Sequence, residues 1–252
     1  MKKLIFIIII SCFLISCGGG SEEGNKIHVY AALGQSNMVG QGGEYFPSRP
    51  IDDRIMYLDL TNQLQIVEDS LYSEESDYLY IQNLDRYSCA ISFAERMIQE
   101  MNTEDEIVII PCAFGNTKIQ WQLDCWEIYA ERIQYVLDNY PNAVFEGIIY
   151  WQGENNIDDP DIWKKGILDL LNKIENEFGN VEFVFAQIGN NLTENDHYIN
   201  MWENFKIEQQ NFSIENDIKM IYTEDLPLFD HLHVNTTGLQ IAGVRFAEEF
   251  LK

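Results

Sequence analysis

Three short stretches of this 252-residue chain carry side chains that can do chemistry, and each stands where an apolar run ends or a turn begins. Gly34-Gln35-Ser36-Asn37-Met38 closes a run near the N-terminus, and Trp151-Gln152-Gly153-Glu154 closes another in the middle. Asp230-His231-Leu232-His233 lies near the C-terminus. Together they hold a hydroxyl, an imidazole, a carboxylate and an amide donor, the parts that acyl transfer through a serine nucleophile requires. Serine and histidine are common, so the weight rests on their placement.

Ser36 follows a glycine by two residues and can project its hydroxyl from a strand end, but it needs a base. Four histidines are candidates: His28, His197, His231 and His233. His28 falls inside an apolar run and reads as structural, and His197 sits in a polar stretch. Asp230 precedes His233 by three residues, a spacing that lets one turn present the imidazole while the carboxylate fixes its far nitrogen. His231 then points elsewhere. For the oxyanion, the backbone N–H groups of Ser36 and Gly115 and the side-chain amide of Gln152 are candidate donors. Glu154 reads as a supporting residue that orients Gln152 or the loops.

The elements that must position these groups follow from periodicity. Residues 27–33, 107–110, 144–151, 181–188 and 218–222 read as buried strands, the second stopped by Pro111. Residues 88–101, 126–137, 161–178, 198–210 and 237–251 carry helical spacing, with Pro160 as a start signal for the third. This alternation predicts one domain with a parallel sheet of about five strands, covered by helices on both faces. Ligands of such sheets bind beyond the carboxyl ends of the strands, where the motifs fall. Residues 68–80, rich in acids and tyrosines, read as a surface excursion.

Residues 1–16 read as a leader, with Lys2 and Lys3 before an apolar run too short to span a bilayer comfortably. Leu14-Ile15-Ser16-Cys17 resembles the lipobox of bacterial lipoproteins, which implies lipidation of Cys17. Residues 17–25 then form a flexible tether, and residues 26–252 the folded domain. The expected location is the bacterial cell envelope, periplasmic or surface-exposed, with the lipid anchor as the sole membrane contact. A formal net charge of −25 argues against nucleic acid and against polyanionic substrates, and favours a neutral or sparsely charged ligand. Cys89, Cys112 and Cys125 permit one disulfide at most, lack metal-site spacing, and read as buried thiols.

Gly34-Gln35-Ser36-Asn37-Met38, Gly115-Asn116-Thr117, Trp151-Gln152-Gly153-Glu154 and Asp230-x-x-His233 resemble the successive blocks of the SGNH-type hydrolases, nearest the carbohydrate and sialic-acid O-acetylesterase branch. The resemblance runs in order from about Ile27 to Leu251. It implies a three-layer α/β/α sandwich and removal of acetyl groups from sugar hydroxyls without a metal or other cofactor. By it Ser36, Asp230 and His233 form the triad, and Gly115 and Gln152 join Ser36 in the oxyanion hole. Two departures stand out: Asn116 replaces a second glycine, and Asn155-Asn156 follow Glu154 where serine or alanine and then an acid or amide are usual. Of Trp121, Trp126 and Trp151, expected near the crevice rim, Trp121 is the preferred sugar contact. Competing readings are a glycan-binding lipoprotein without catalysis and a metal hydrolase using His231 and His233 with Asp230 or Asp225.

Overall fold

The computed structural model describes residues 25–44, 50–68, 71 and 86–252. The leader, Cys17, all but the last residue of the tether and most of the 68–80 excursion lie outside the described residues.

The chain forms β1 (Ile27–Gly34), α1 (Ser36–Val39), β2 (Ile55–Leu58), β3 (Leu64–Ile66), α2 (Cys89–Met97) and β4 (Glu106–Ala113). There follow α3 (Ile119–Asp124), α4 (Trp126–Asn139), β5 (Ala143–Trp151), α5 (Pro160–Phe178), β6 (Glu182–Ala186), α6 (Asp196–Asn216), β7 (Lys219–Ile221) and α7 (Thr236–Phe250). The strands form one sheet in the order β3-β2-β4-β1-β5-β6-β7, parallel throughout except for β3.

Among the described residues the sheet has seven strands, where about five were expected. The additional pair, β2 and β3, is a hairpin of four and three residues, too short to show periodicity in the sequence. Asp59 builds its turn: one carboxylate oxygen accepts from the Thr61 and Gln63 backbone N–H groups, and Asn62 takes a left-handed φ of 60°. Pro111 does not stop β4. Its partner on one side is Ala32 of β1, while β2 pairs only as far as Ile109, so no neighbour requires the missing proline N–H.

Helix starts follow the sequence closely. Ser88, Asp159, Asn195 and Asn235 cap α2, α5, α6 and α7 through side-chain oxygens that accept backbone N–H groups. Helices α2 and α7 pack together over one face, where Phe93 and Phe250 meet Tyr30 edge to face. Helices α4, α5 and α6 pack in succession over the other, with Trp163 against Phe185, Phe205 and Phe212. Trp126, Trp151, Trp163 and Trp202 are buried in these layers. Cys89, Cys112 and Cys125 are free and buried, and burial pushes the Cys89 and Cys112 thiols up to about 12.

His28 lies at the amino-terminal end of the sheet, away from the motifs. A bulge between β1 and β5 sets Glu146 beside it, and the imidazole Nδ1 lies 2.7 Å from Glu146 Oε1, with Nε2 3.6 Å from Asp105. It is a structural bridge.

Candidate active site

Ser36 opens α1 directly after β1, the central strand of the sheet, whose neighbours are β4 and β5. The turn demands Gly34. Its φ is 144°, and a Cβ there would lie 2.2 Å from the Trp151 carbonyl oxygen. Gln35 N–H donates to that same carbonyl at 2.9 Å, so the Ser36 turn is seated on the end of β5. Gly40, at φ 91°, closes α1 by donating to the Ser36 carbonyl.

The other half arrives from the turn before α7. Phe229 N–H donates to the His233 carbonyl at 2.7 Å and Leu228 bridges Val234, making a tight loop of residues 228–234. One Asp230 oxygen accepts from the Leu232 and His233 backbone N–H groups, both at 2.7 Å. Its other oxygen lies 2.7 Å from His233 Nδ1, and His233 Nε2 lies 3.1 Å from Ser36 Oγ. Burial alone would raise the Asp230 carboxyl. The imidazole and the two backbone donors outweigh it and bring it down to about 2, so the carboxylate is charged at neutral pH.

Of the four histidines, the fold brings only His233 to Ser36. His197 and His231 are exposed. Asp225 is paired with Arg245 through both oxygens, at 2.7 and 2.6 Å. With both His233 nitrogens engaged and Asp225 taken, the set required for a metal hydrolase is not assembled. Among the described residues no cluster of three or more His, Cys, Asp or Glu is arranged to hold a metal ion.

Gln152 corrects an expectation. It is fully buried, and its amide nitrogen donates to the Thr117 carbonyl at 3.1 Å and to Asn156 Oδ1 at 2.7 Å. Tyr150 donates its hydroxyl to Gln152 Oε1 at 3.1 Å. Both amide hydrogens are therefore spent, and none is presented to an oxyanion. Gln152 instead ties the loop after β5 to the loop after β4. Asn156 extends the tie by accepting from the Ile119 N–H at 3.0 Å, and Asn155 donates to Asn116 Oδ1 at 3.1 Å. The two departures from the usual motif thus meet each other. Asn116 adopts φ 58°, the left-handed angle a glycine would otherwise supply. Gly115 is buried in that same turn, between β4 and α3.

Glu154 is buried and accepts from Asn37 Nδ2 at 2.8 Å, so it supports the Ser36 turn and not Gln152. Burial raises its carboxyl above the usual range, against opposing contributions from hydrogen bonds and from His233. Asn37, given no role from the sequence, turns its other end to the Val234 N–H at 3.0 Å. Only its position directly after the serine hinted at this.

Trp126 and Trp151 are fully buried and cannot touch a ligand. Trp121 is partly exposed and stacks at a tilt on Phe114, with ring centroids 5.2 Å apart, in the segment that follows β4.

A mostly parallel sheet between helical layers, with a serine, a histidine and an aspartate joined at its carboxyl edge, defines an SGNH-type hydrolase. The chain belongs to the family of carbohydrate esterases described as sialic acid-specific acetylesterases, whose model matches residues 26–252. It is therefore a carboxylic ester hydrolase of the carbohydrate acetylesterase type. Among solved structures, a protein from Arabidopsis thaliana is 18% identical with a TM-score of 0.73, over 89% of this chain and 97% of its own. NanS is 14% identical with a TM-score of 0.70, over 90% and 97%. A carbohydrate acetylesterase from Xanthomonas citri is 15% identical with a TM-score of 0.58, over 88% of this chain and 55% of its own. At these identities the likeness is one of fold. Comparison with curated proteins gives no match.

Proposed function

We propose that the protein removes O-acetyl groups from carbohydrates through an acyl-enzyme on Ser36, with His233 as base and Asp230 as its orienting partner. The observation that carries this reading is the unbroken chain Asp230 Oδ2–His233 Nδ1, 2.7 Å, and His233 Nε2–Ser36 Oγ, 3.1 Å. As Oγ attacks the acetyl carbonyl, its proton passes to Nε2, and Asp230 stabilises the imidazolium without taking the proton. The backbone N–H groups of Ser36 and Gly115 serve the oxyanion. Collapse of the tetrahedral intermediate breaks the ester bond, and Nε2–H returns its proton to the departing sugar oxygen. Water then enters, loses a proton to Nε2 and attacks the acetyl-serine; collapse breaks the Oγ–acyl bond, Nε2–H returns that proton to Ser36 Oγ, and the product leaves as acetate and a proton.

The substrate is an acetylated polysaccharide or an acetylated sialic acid, with Trp121 as an aromatic face for a sugar ring. The high negative charge supports a neutral or sparsely charged ligand over a polyanion. Residues 1–16 act as a leader, and Cys17 carries the lipid that holds residues 26–252 to a membrane of the cell envelope through the 17–25 tether. Metabolic labelling with a fatty-acid analogue tests the anchor, with loss of label expected in Cys17→Ser.

The central test is an organophosphonate probe with acetate release as a second readout. The wild type is labelled at Ser36 and hydrolyses small aryl acetates, and Ser36→Ala does neither. Full turnover by Ser36→Ala ends the proposal.

A further inference from the structure

Ser36 and His233 are 197 residues apart, on segments that nothing in the local sequence holds together. The side-chain contact between them is a single hydrogen bond at a partly buried site, too little by itself to fix a reacting distance. Directly beside it runs a second rung of the same sequence separation, from Asn37 Oδ1 to the Val234 N–H at 3.0 Å, and this one is buried. Asn37 is the residue after the serine, and Val234 the residue after the histidine. The two rungs are therefore neighbours in a ladder between the nucleophile turn and the histidine turn.

The second rung has a defined polarity. Val234 presents an N–H, so Asn37 must offer oxygen there and direct its amide nitrogen the other way. Glu154 Oε1 receives that nitrogen at 2.8 Å from the loop after β5. The Asn37 amide is thus held from both ends, and a flipped amide would set donor against donor and acceptor against acceptor. Among the described residues no side chain bonds Glu154 Oε2, which is buried, so Asn37 is the side chain this carboxylate holds. Gly42 packs close to the same loop: a Cβ there would lie 2.3 Å from the Val234 carbonyl oxygen and 3.0 Å from His233 Cβ. Backbone approach this tight leaves the histidine turn little room to drift once the rung is made.

Resting on the Ser36–His233 reading, we propose that Asn37, oriented by Glu154, is a positioning residue that sets the distance between the serine hydroxyl and the imidazole. It touches no reacting atom. Its effect is on the geometry of proton transfer, where a misplacement of about 1 Å can cost about 10²-fold in rate.

The experiment measures kcat and KM for an aryl acetate per phosphonate-titrated active site, so that unfolded protein does not count. In Asn37→Ala the rung is lost, and kcat falls about 10²-fold with KM nearly unchanged. Asn37→Asp has the same shape and keeps the oxygen toward Val234, but opposes two carboxylates at Glu154, and it falls comparably. Adding Glu154→Gln to it restores the complement, because the new amide donates to the new carboxylate. The double variant recovers most of kcat, which a generally structural asparagine would not do. Wild-type kcat in Asn37→Ala, or no recovery in the Asn37→Asp, Glu154→Gln pair, overturns the proposal. Ser36→Ala run alongside separates the levels: if it is inactive while Asn37→Ala is not, this inference alone fails, and if it is active the reading of the site fails with it.

Discussion

Asp230→Asn should be more damaging than its single-atom change implies. One oxygen of Asp230 accepts two backbone N–H groups at 2.7 Å, from Leu232 and His233, and the other faces His233 Nδ1 at 2.7 Å. An asparagine must choose which end keeps its oxygen. Turning the NH₂ toward the two backbone donors leaves both without an acceptor, at about 1–3 kcal/mol each. The oxygen therefore stays with the backbone and the NH₂ faces Nδ1. That forces the imidazole to accept at Nδ1 and carry its proton on Nε2, pointing at Ser36 Oγ, where a base must have a lone pair. Even the smallest flip penalty, about 2 kcal/mol in all, leaves only a few per cent of molecules in the productive tautomer. The expected loss in kcat/KM is thus at least about 30-fold by this route. It approaches the 10⁴-fold, about 5.5 kcal/mol, typical of a triad locked in the wrong tautomer. Aryl acetate hydrolysis measured for Asp230→Asn beside Asp230→Ala is the assay. Alanine imposes no tautomer, so the asparagine variant should be the slower of the two. Retention of more than about a tenth of wild-type kcat/KM by Asp230→Asn would refute the argument, because the tautomer would then not be set by this carboxylate.

Gln152→Ala should act mainly on stability. It strips partners from the buried Tyr150 hydroxyl, the Thr117 carbonyl and Asn156, so the denaturation free energy falls by at least about 2 kcal/mol. The folded enzyme should lose less than the roughly 10²-fold in kcat that removal of an oxyanion donor causes. His28 should make stability depend on pH near neutrality. The hydrogen bond to Glu146 raises its pKa against opposing burial, with Asp105 adding to the rise, so its contribution is complete below the ordinary value of 6.5. That contribution is lost as pH rises through the raised folded value, and denaturant midpoints followed across this range should lose the dependence in His28→Gln. Asp230 has the opposite sign: its contribution is present above the ordinary 3.8 and lost only as pH falls toward about 2. Trp121→Ala should raise KM for acetylated oligosaccharides while leaving aryl acetate hydrolysis close to wild type, measured as paired KM values.

Strand and helix order was legible because burial on both faces of a parallel sheet writes continuous apolar runs, and amphipathic helices write a different period. Ser36, Asp230 and His233 were legible for a local reason. A glycine turn at a strand end and an Asp-x-x-His turn each declare themselves within five residues. The β2–β3 hairpin was too short to declare itself, and Pro111 misled because strand pairing on each side is not written in one strand's own residues.

Gln152 shows where local reading ends. From the sequence it is an amide at the right edge of the sheet, free to serve an oxyanion. Whether it is free depends on Thr117 and Asn156, which the folded loops bring against it. Asn37 is the converse case, an ordinary polar residue until Val234 and Glu154 arrive from 197 and 117 positions away. Which groups exist, and on which kind of element they stand, can be read from neighbours along the chain. Which donors are already spent and which distances are held is set by folding, because hydrogen bonds are satisfied by whatever is near in space.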